Sequence, residues 1–260
     1  MKKIKIGIIG GTNGMGQWFA RLLKKEKFTV HVCGRKTRLQ INDLARLCDV
    51  IVVAVPISVT AEIIRQVGPQ LTGDQLLMDL TSLKKEPVQL MLKNSPAEVI
   101  GCHPLFGPQL KDVTGQNVIL CPGRGKKWLN WLTGIFKKNK LAVSEATPEK
   151  HDKMMAIIQV LNHLNTISLG MALAGTKITP AEIKKFSTPI FRTKMDIMRK
   201  VFMESPALYV DIITGNPHTG HMLDIYEQAL QDIHAKIKLG SRLESTSALE
   251  KAAKNLWKQK

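Results

Sequence analysis

The chain predicts an α/β half built on a parallel sheet, followed by an all-helical half. Three observations carry that reading. Short apolar runs alternate with amphipathic stretches through residues 1–146. A glycine cluster, Gly10 to Gly16, follows the first apolar run directly. From residue 147 to 260 only helical spacing is found, with no strand. At 260 residues there is room for both halves, each with its own core.

The first strand is read over residues 3–9, closing on Ile8-Ile9. Gly10-Gly11-Thr12-Asn13-Gly14-Met15-Gly16 follows, and residues 17–25 carry Trp18, Phe19, Leu22 and Leu23 at helical spacing. Strand, glycine loop and helix form a Rossmann-type dinucleotide-binding opening. Glycines let the backbone approach a pyrophosphate, and the helix N-terminus offers it unpaired N–H groups. In strict register the fingerprint runs Gly11-x-Gly-x-x-Gly16, with Asn13 in place of the middle glycine. A second strand over 29–33 and a third over 49–56 turn a glycine run into a specific signal.

The second strand ends in Gly34-Arg35-Lys36-Thr37-Arg38. NAD enzymes place an acid there for the ribose 2′-hydroxyl. No acid is present, and Arg35, Lys36 and Arg38 suit a 2′-phosphate, so NADP is favoured over NAD; the other reading is a solvated basic loop. A helix over 59–67, a strand over 75–79 and a short helix over 87–92 follow. The strand over 99–102 enters Gly101-Cys102-His103-Pro104-Leu105-Phe106-Gly107-Pro108, where two prolines and two glycines predict a rigid turn that ends it. Residues 117–121 and 141–143 read as edge strands around a helix over 128–138.

The pattern changes at Thr147-Pro148, a helix start with Glu149 in its first turn. The boundary is therefore placed between a dinucleotide-binding domain, 1–146, and a helical substrate and dimerisation domain, 147–260. The first helix is expected to run unbroken to about Ala174, carrying His151, His163 and an apolar stripe. Further helices are read over 180–186, 189–203, 206–213, 218–239 and 241–257. So many apolar stripes in so few helices call for an interface as well as a core, hence a homodimer.

The formal charge is +17, with 22 Lys and Arg against 10 Asp and Glu in residues 1–146. A basic balance attracts polyanions. The lysines are scattered, however, and no nucleic-acid motif is present. An anionic substrate and a phosphate-rich cofactor account for the excess equally well. The longest apolar runs are strand-length, so no membrane span is expected, and no cleavage site follows the basic N-terminus; both point to the cytoplasm. Cys33, Cys48, Cys102 and Cys121 have neither CxxC nor zinc-ligand spacing, which predicts buried, reduced thiols and no metal.

His103 ends a strand where open α/β sheets place their chemistry, and histidine is readily tuned for proton exchange near neutrality. On position alone it is a catalytic base or a residue that bonds its own loop. Ser82 lies at the end of the preceding strand, so the two are expected side by side.

These segments resemble the prephenate dehydrogenases (the cyclohexadienyl and arogenate dehydrogenase family). The resemblance rests on Gly10 to Gly16, Ala54-Val55-Pro56, Asp79 to Lys84 and Gly101 to Pro108, then Glu149 to Asp152, Gln159 to His163, Ser187 to Arg192 and Leu208 to Ile212. It implies NAD(P)-dependent oxidative decarboxylation of a small anionic cyclohexadienyl substrate, prephenate or arogenate, to a phenol in tyrosine biosynthesis. His103 matches the family's catalytic base, and Ser82 the serine that bonds the same hydroxyl or orients that histidine. Lys84, His151, His163 and Arg192 match positions implied to meet substrate, with the glycine loop, Val55 and Pro56 meeting cofactor. The sequence departs from the family at Val160, where a second histidine is common, and at Lys200, where an arginine binds a substrate carboxylate. Arg199 is its neighbour and rival, and lysine lacks the bidentate fork. A different NADP-dependent dehydrogenase of the same two-domain build, or a non-catalytic nucleotide-sensing or nucleic-acid-binding protein, are the alternative readings.

Overall fold

The structure, a computed structural model, describes residues 3–240 and 242–257. Ser241, placed in the last helix from sequence, lies outside them, as do residues 1–2 and 258–260. The strands are β1 (Lys5–Ile9), β2 (Thr29–Cys33), β3 (Val50–Val53), β4 (Leu76–Asp79), β5 (Glu98–Pro104), β6 (Asn117–Arg124) and β7 (Ala142–Glu145). They form one sheet in the order β2-β1-β3-β4-β5-β6-β7. β1 to β5 are parallel, β6 is antiparallel to β5, and β7 is parallel to β6. The order reverses between β1 and β3, which sets the ligand crevice of an open sheet above their carboxyl ends.

The central strands β1, β3, β4 and β5 are buried on both sides because helices cover both faces. Ile6, Ile8, Val52, Met78, Ile100 and Cys102 pack under α1 (Gly14–Lys25) and α5 (Lys127–Lys138). Ile51, Val53, Leu77 and Val99 pack under α2 (Ile41–Leu47), α3 (Ile57–Val67) and α4 (Lys85–Asn94). α2 is an addition to the elements expected from sequence; its seven residues are too few for a clear period.

Two expectations about the sheet are corrected. β5 does not end at Cys102: His103 pairs with Ile119 and Pro104 with Val118. Pro104 is tolerated because it is the last residue of the strand. Nor is β6 an edge strand, since β7 lies outside it.

The helical half begins with α6 (Pro148–Met155), whose Thr147 cap accepts a hydrogen bond from the Lys150 amide. A π-helical segment, Ala156–Leu161, joins α6 to α7 (Asn162–Gly175), so the expected helix is continuous but not uniformly α. The helix Pro148–Gly175, 28 residues long, contains an 18-residue window of mean hydropathy 1.3 and is long and apolar enough to cross a membrane by length and composition, although it holds no unbroken apolar run of that length. His151 and Asp152 in its first turns are buried against the sheet domain, and Ala156 packs with Val160 and Met222 inside the helical half. Then come α8 (Pro180–Phe186), α9 (Pro189–Arg199), a second π-helical segment (Lys200–Glu204), α10 (Pro206–Gly215), α11 (Thr219–Lys238) and α12 (Arg242–Trp257). This half leaves Phe186, Ile190, Met203, Leu243 and Trp257 largely exposed.

Candidate active site

The glycine loop leaves β1 at Gly10, whose φ is +85° and where a Cβ would stand 2.3 Å from the Ala54 carbonyl oxygen. At Gly16 a Cβ would stand 2.5 Å from the Gly10 carbonyl oxygen. The loop therefore folds tightly onto the start of α1 and the end of β3, which brings Val55 beside Gly10. Asn13 is the N-cap of α1 but makes no side-chain cap bond, so the first-turn N–H groups are left for a ligand. Gly11, Thr12, Gly14 and Met15 complete the same turn. Thr12 packs on Gly34, which ties the loop to the end of β2. There the Thr37 hydroxyl accepts from the Gly34 amide at 2.8 Å, and Arg35, Lys36 and Arg38 are exposed. Pro56 is exposed at the N-cap of α3.

His103, 4% exposed, shares a sheet face with Val99 and Gly101, beneath α4. Its Nδ1 lies 2.9 Å from Nε2 of His151, which comes from α6. The other ring nitrogen of His151, Nδ1, is 2.7 Å from Asp152 Oδ1. Asp152 in turn accepts from the Lys84 amide at 2.8 Å and the Lys85 amide at 2.9 Å. Burial holds the His103 pKa well below the ordinary value, and the neighbouring His151 and Lys84 side chains add to it. For Asp152 burial acts upward, but the bonds from His151, Lys85 and Lys84 outweigh it and hold the carboxyl below its usual range.

His151 was expected to meet substrate; both its ring nitrogens are engaged within the protein and its side chain is fully enclosed, so it has none to offer. Lys84 was expected to meet substrate or cofactor; instead it is fully enclosed in an ion pair with Asp79, with Thr81 Oγ1 3.3 Å from its Nζ. Ser82 is half-buried at the end of β4. Among the described residues it makes no hydrogen bond to His103; His151 holds that ring instead.

His163 is half-buried and stands edge-on to Tyr209, ring centroids 4.7 Å apart. Burial lowers its pKa. Twelve residues of ideal α-helix would set His151 and His163 about 120° apart. The π-helical segment between them takes up an extra residue, which reduces the angle to about 20°. Val160 is fully buried against Met222, so the departure from the family histidine is absorbed into core packing. Arg192 and Lys200 are exposed on α9 and the segment after it, and Arg199 pairs with Glu204 at 3.6 Å. No hydrogen bond or ion pair brings Arg192 or Lys200 to the histidines among the described residues. Asp152 and Tyr209 were not singled out from sequence, although both stand inside motifs that were.

A glycine-looped open sheet, with a strand-end histidine gripped by a separate helical half, defines a two-domain protein of the dinucleotide-binding class. The family of models described as "Prephenate dehydrogenase, nucleotide-binding domain" matches residues 19–145, and "Prephenate dehydrogenase, dimerization domain" matches 147–251. The chain belongs to the prephenate dehydrogenase family.

It is 34% identical to a probable arogenate/prephenate dehydrogenase of Methanocaldococcus jannaschii, covering 97% of this chain and 61% of that protein. It is 31% identical to the T-protein of Haemophilus influenzae, covering 88% and 60%. The chain thus spans about three-fifths of the length of these curated relatives. Prephenate dehydrogenase from A. aeolicus, solved with hydroxyphenyl propionate and NAD+, has the same fold: TM-score 0.78, 20% identity, 97% of this chain and 96% of that one.

Proposed function

We propose that this chain is a prephenate or arogenate dehydrogenase that prefers NADP. The observation that carries the reading is a buried His103, its charged form disfavoured by that burial, at the carboxyl end of β5, in a sheet whose switch point bears the glycine loop. The loop's close approach at Gly10 and the uncapped start of α1 fit a pyrophosphate, and Arg35, Lys36 and Arg38 fit a 2′-phosphate. A dinucleotide held by the glycine loop would supply the hydride acceptor for the carbinol carbon. His103 takes the hydroxyl proton, for which a neutral imidazole is required. Ser82 hydrogen-bonds the same hydroxyl, the ring carboxylate departs as CO2, and the ring aromatises. His163 lines the pocket, and Arg192 with Lys200 supplies positive charge for the substrate carboxylates.

The domain boundary is placed at 146/147, between the end of β7 and the start of α6. The exposed apolar side chains of the helical half, and its match to a dimerization domain, support a homodimer formed through that half. The match to the two prephenate dehydrogenase domains supports a cytoplasmic protein with no membrane partner, and the scattered lysines argue against nucleic acid. The deciding experiment is turnover of prephenate and arogenate, each with NADP and NAD. Reduction of either cofactor with release of CO2 supports the reading; no turnover in any of the four combinations overturns it.

A further inference from the structure

The contact between His103 and His151 joins the two halves of the chain across 48 residues, and the place of each proton in it follows from its far end. Asp152 lies at the start of α4, where the first N–H groups have no partner within the helix and favour negative charge. It accepts both the Lys84 and the Lys85 amides, and stays anionic despite its burial. An anionic carboxylate only accepts, so His151 Nδ1, 2.7 Å away, carries a proton. With one proton on each ring, His151 keeps its lone pair on Nε2, and His103 Nδ1, 2.9 Å from it, is the donor. In a neutral imidazole the other nitrogen is the base, so on His103 that nitrogen is Nε2.

We propose that His151 and Asp152 are positioning residues that lock His103 in its Nδ1–H tautomer, leaving Nε2 as the nitrogen that accepts the substrate's hydroxyl proton. This deepens the dehydrogenase reading above and rests on it for its catalytic consequence. Without that partner His103 is free to carry its proton on Nε2, and the nitrogen needed by the substrate is no longer basic. The arrangement explains why both nitrogens of a fully enclosed histidine are spent on protein groups. It also makes a single carboxylate hold α6 to the start of α4 and set the state of the base.

The test uses full-length protein labelled with 15N in its histidine rings, at about pH 8.5, above the imidazole range. The His103 signal is assigned by its loss in His103→Asn. The wild type should show His103 as Nδ1–H. His151→Leu leaves Asp152 its two backbone donors, so the protein should fold, and a thermal melt checks this. That variant should shift His103 toward Nε2–H and lower kcat by roughly 10²-fold, the scale of a lost general base. Its KM values should stay within about twofold, since the effect is on the chemical step. His151→Gln, whose amide oxygen accepts while its NH2 donates to Asp152, should recover the tautomer and most of the turnover. An Nε2–H His103 in the wild type, an unchanged tautomer in His151→Leu, or a changed tautomer with undiminished kcat overturns the proposal. If no substrate is turned over at all, the dehydrogenase reading fails, while the ring spectra still decide the locking.

Discussion

Asp79 and Lys84 form an ion pair in which neither side chain is exposed, at the carboxyl end of β4. Thr81 donates to the same carboxylate oxygen at 2.6 Å, while Asp79 Oδ1 is buried with no hydrogen-bond partner among the described residues. Removing one partner of such a pair leaves an uncompensated buried charge, which costs about 3–5 kcal/mol. Lys84→Met should lose that much in urea unfolding, and Asp79→Asn combined with Lys84→Met should lose distinctly less. A Lys84→Met protein of unchanged stability but raised substrate KM would return Lys84 to the pocket.

Cofactor choice is tested at the end of β2. Arg35→Ala should raise the KM for NADP far more than that for NAD, because only NADP has a phosphate for the guanidinium. Equal losses for the two cofactors would reject the 2′-phosphate role.

The depressed pKa of His103 also links stability to pH. Above the ordinary imidazole pKa both folded and unfolded chains hold this ring neutral, and it contributes nothing. Below that value the unfolded chain takes up a proton that the folded one refuses. Stability therefore drops as the pH is lowered below that value, by up to about 1.4 kcal/mol per pH unit from this one group. Urea unfolding between about pH 7 and pH 5 should show a shallower decline in His103→Asn than in the wild type. Parallel declines would mean that the native ring titrates normally.

Lys200 begins the second π-helical segment and is exposed. If it meets a substrate carboxylate, Lys200→Ala should raise the substrate KM and leave the cofactor KM alone. A charge-assisted hydrogen bond is worth about 1.5–3 kcal/mol, and Lys200→Arg should restore or improve binding. Should Arg199→Ala be crippling and Lys200→Ala silent, the carboxylate contact belongs to Arg199.

Elements bounded by local chemistry were legible in the sequence. β2 and α8 have the expected limits because a glycine turn ends one and a Thr-Pro cap opens the other. The change of pattern at Thr147-Pro148 was readable for the same reason. What escaped depends on partners distant along the chain. The strand runs on through His103 because β6, more than a dozen residues later, supplies its hydrogen-bonding edge. The role of His151 depends on His103, and that of Asp152 on the amides of α4; no local period marks either. The π-helical segment likewise has no proline or glycine to announce it, yet it decides where His163 points.

The hold that Asp152 has on the first amides of α4 bears on how this chain can be recombined. A chimera joined at Thr147 would take His103 and α4 from one parent, and His151 and Asp152 from the other. Under the proposed mechanism, such a hybrid inherits a working base only where both parents set α4 and α6 at the same separation. The two halves are separate in architecture but a single unit of inheritance at this contact, and a useful crossover falls after Asn216, which also bonds the Asp152 backbone, rather than at the domain boundary.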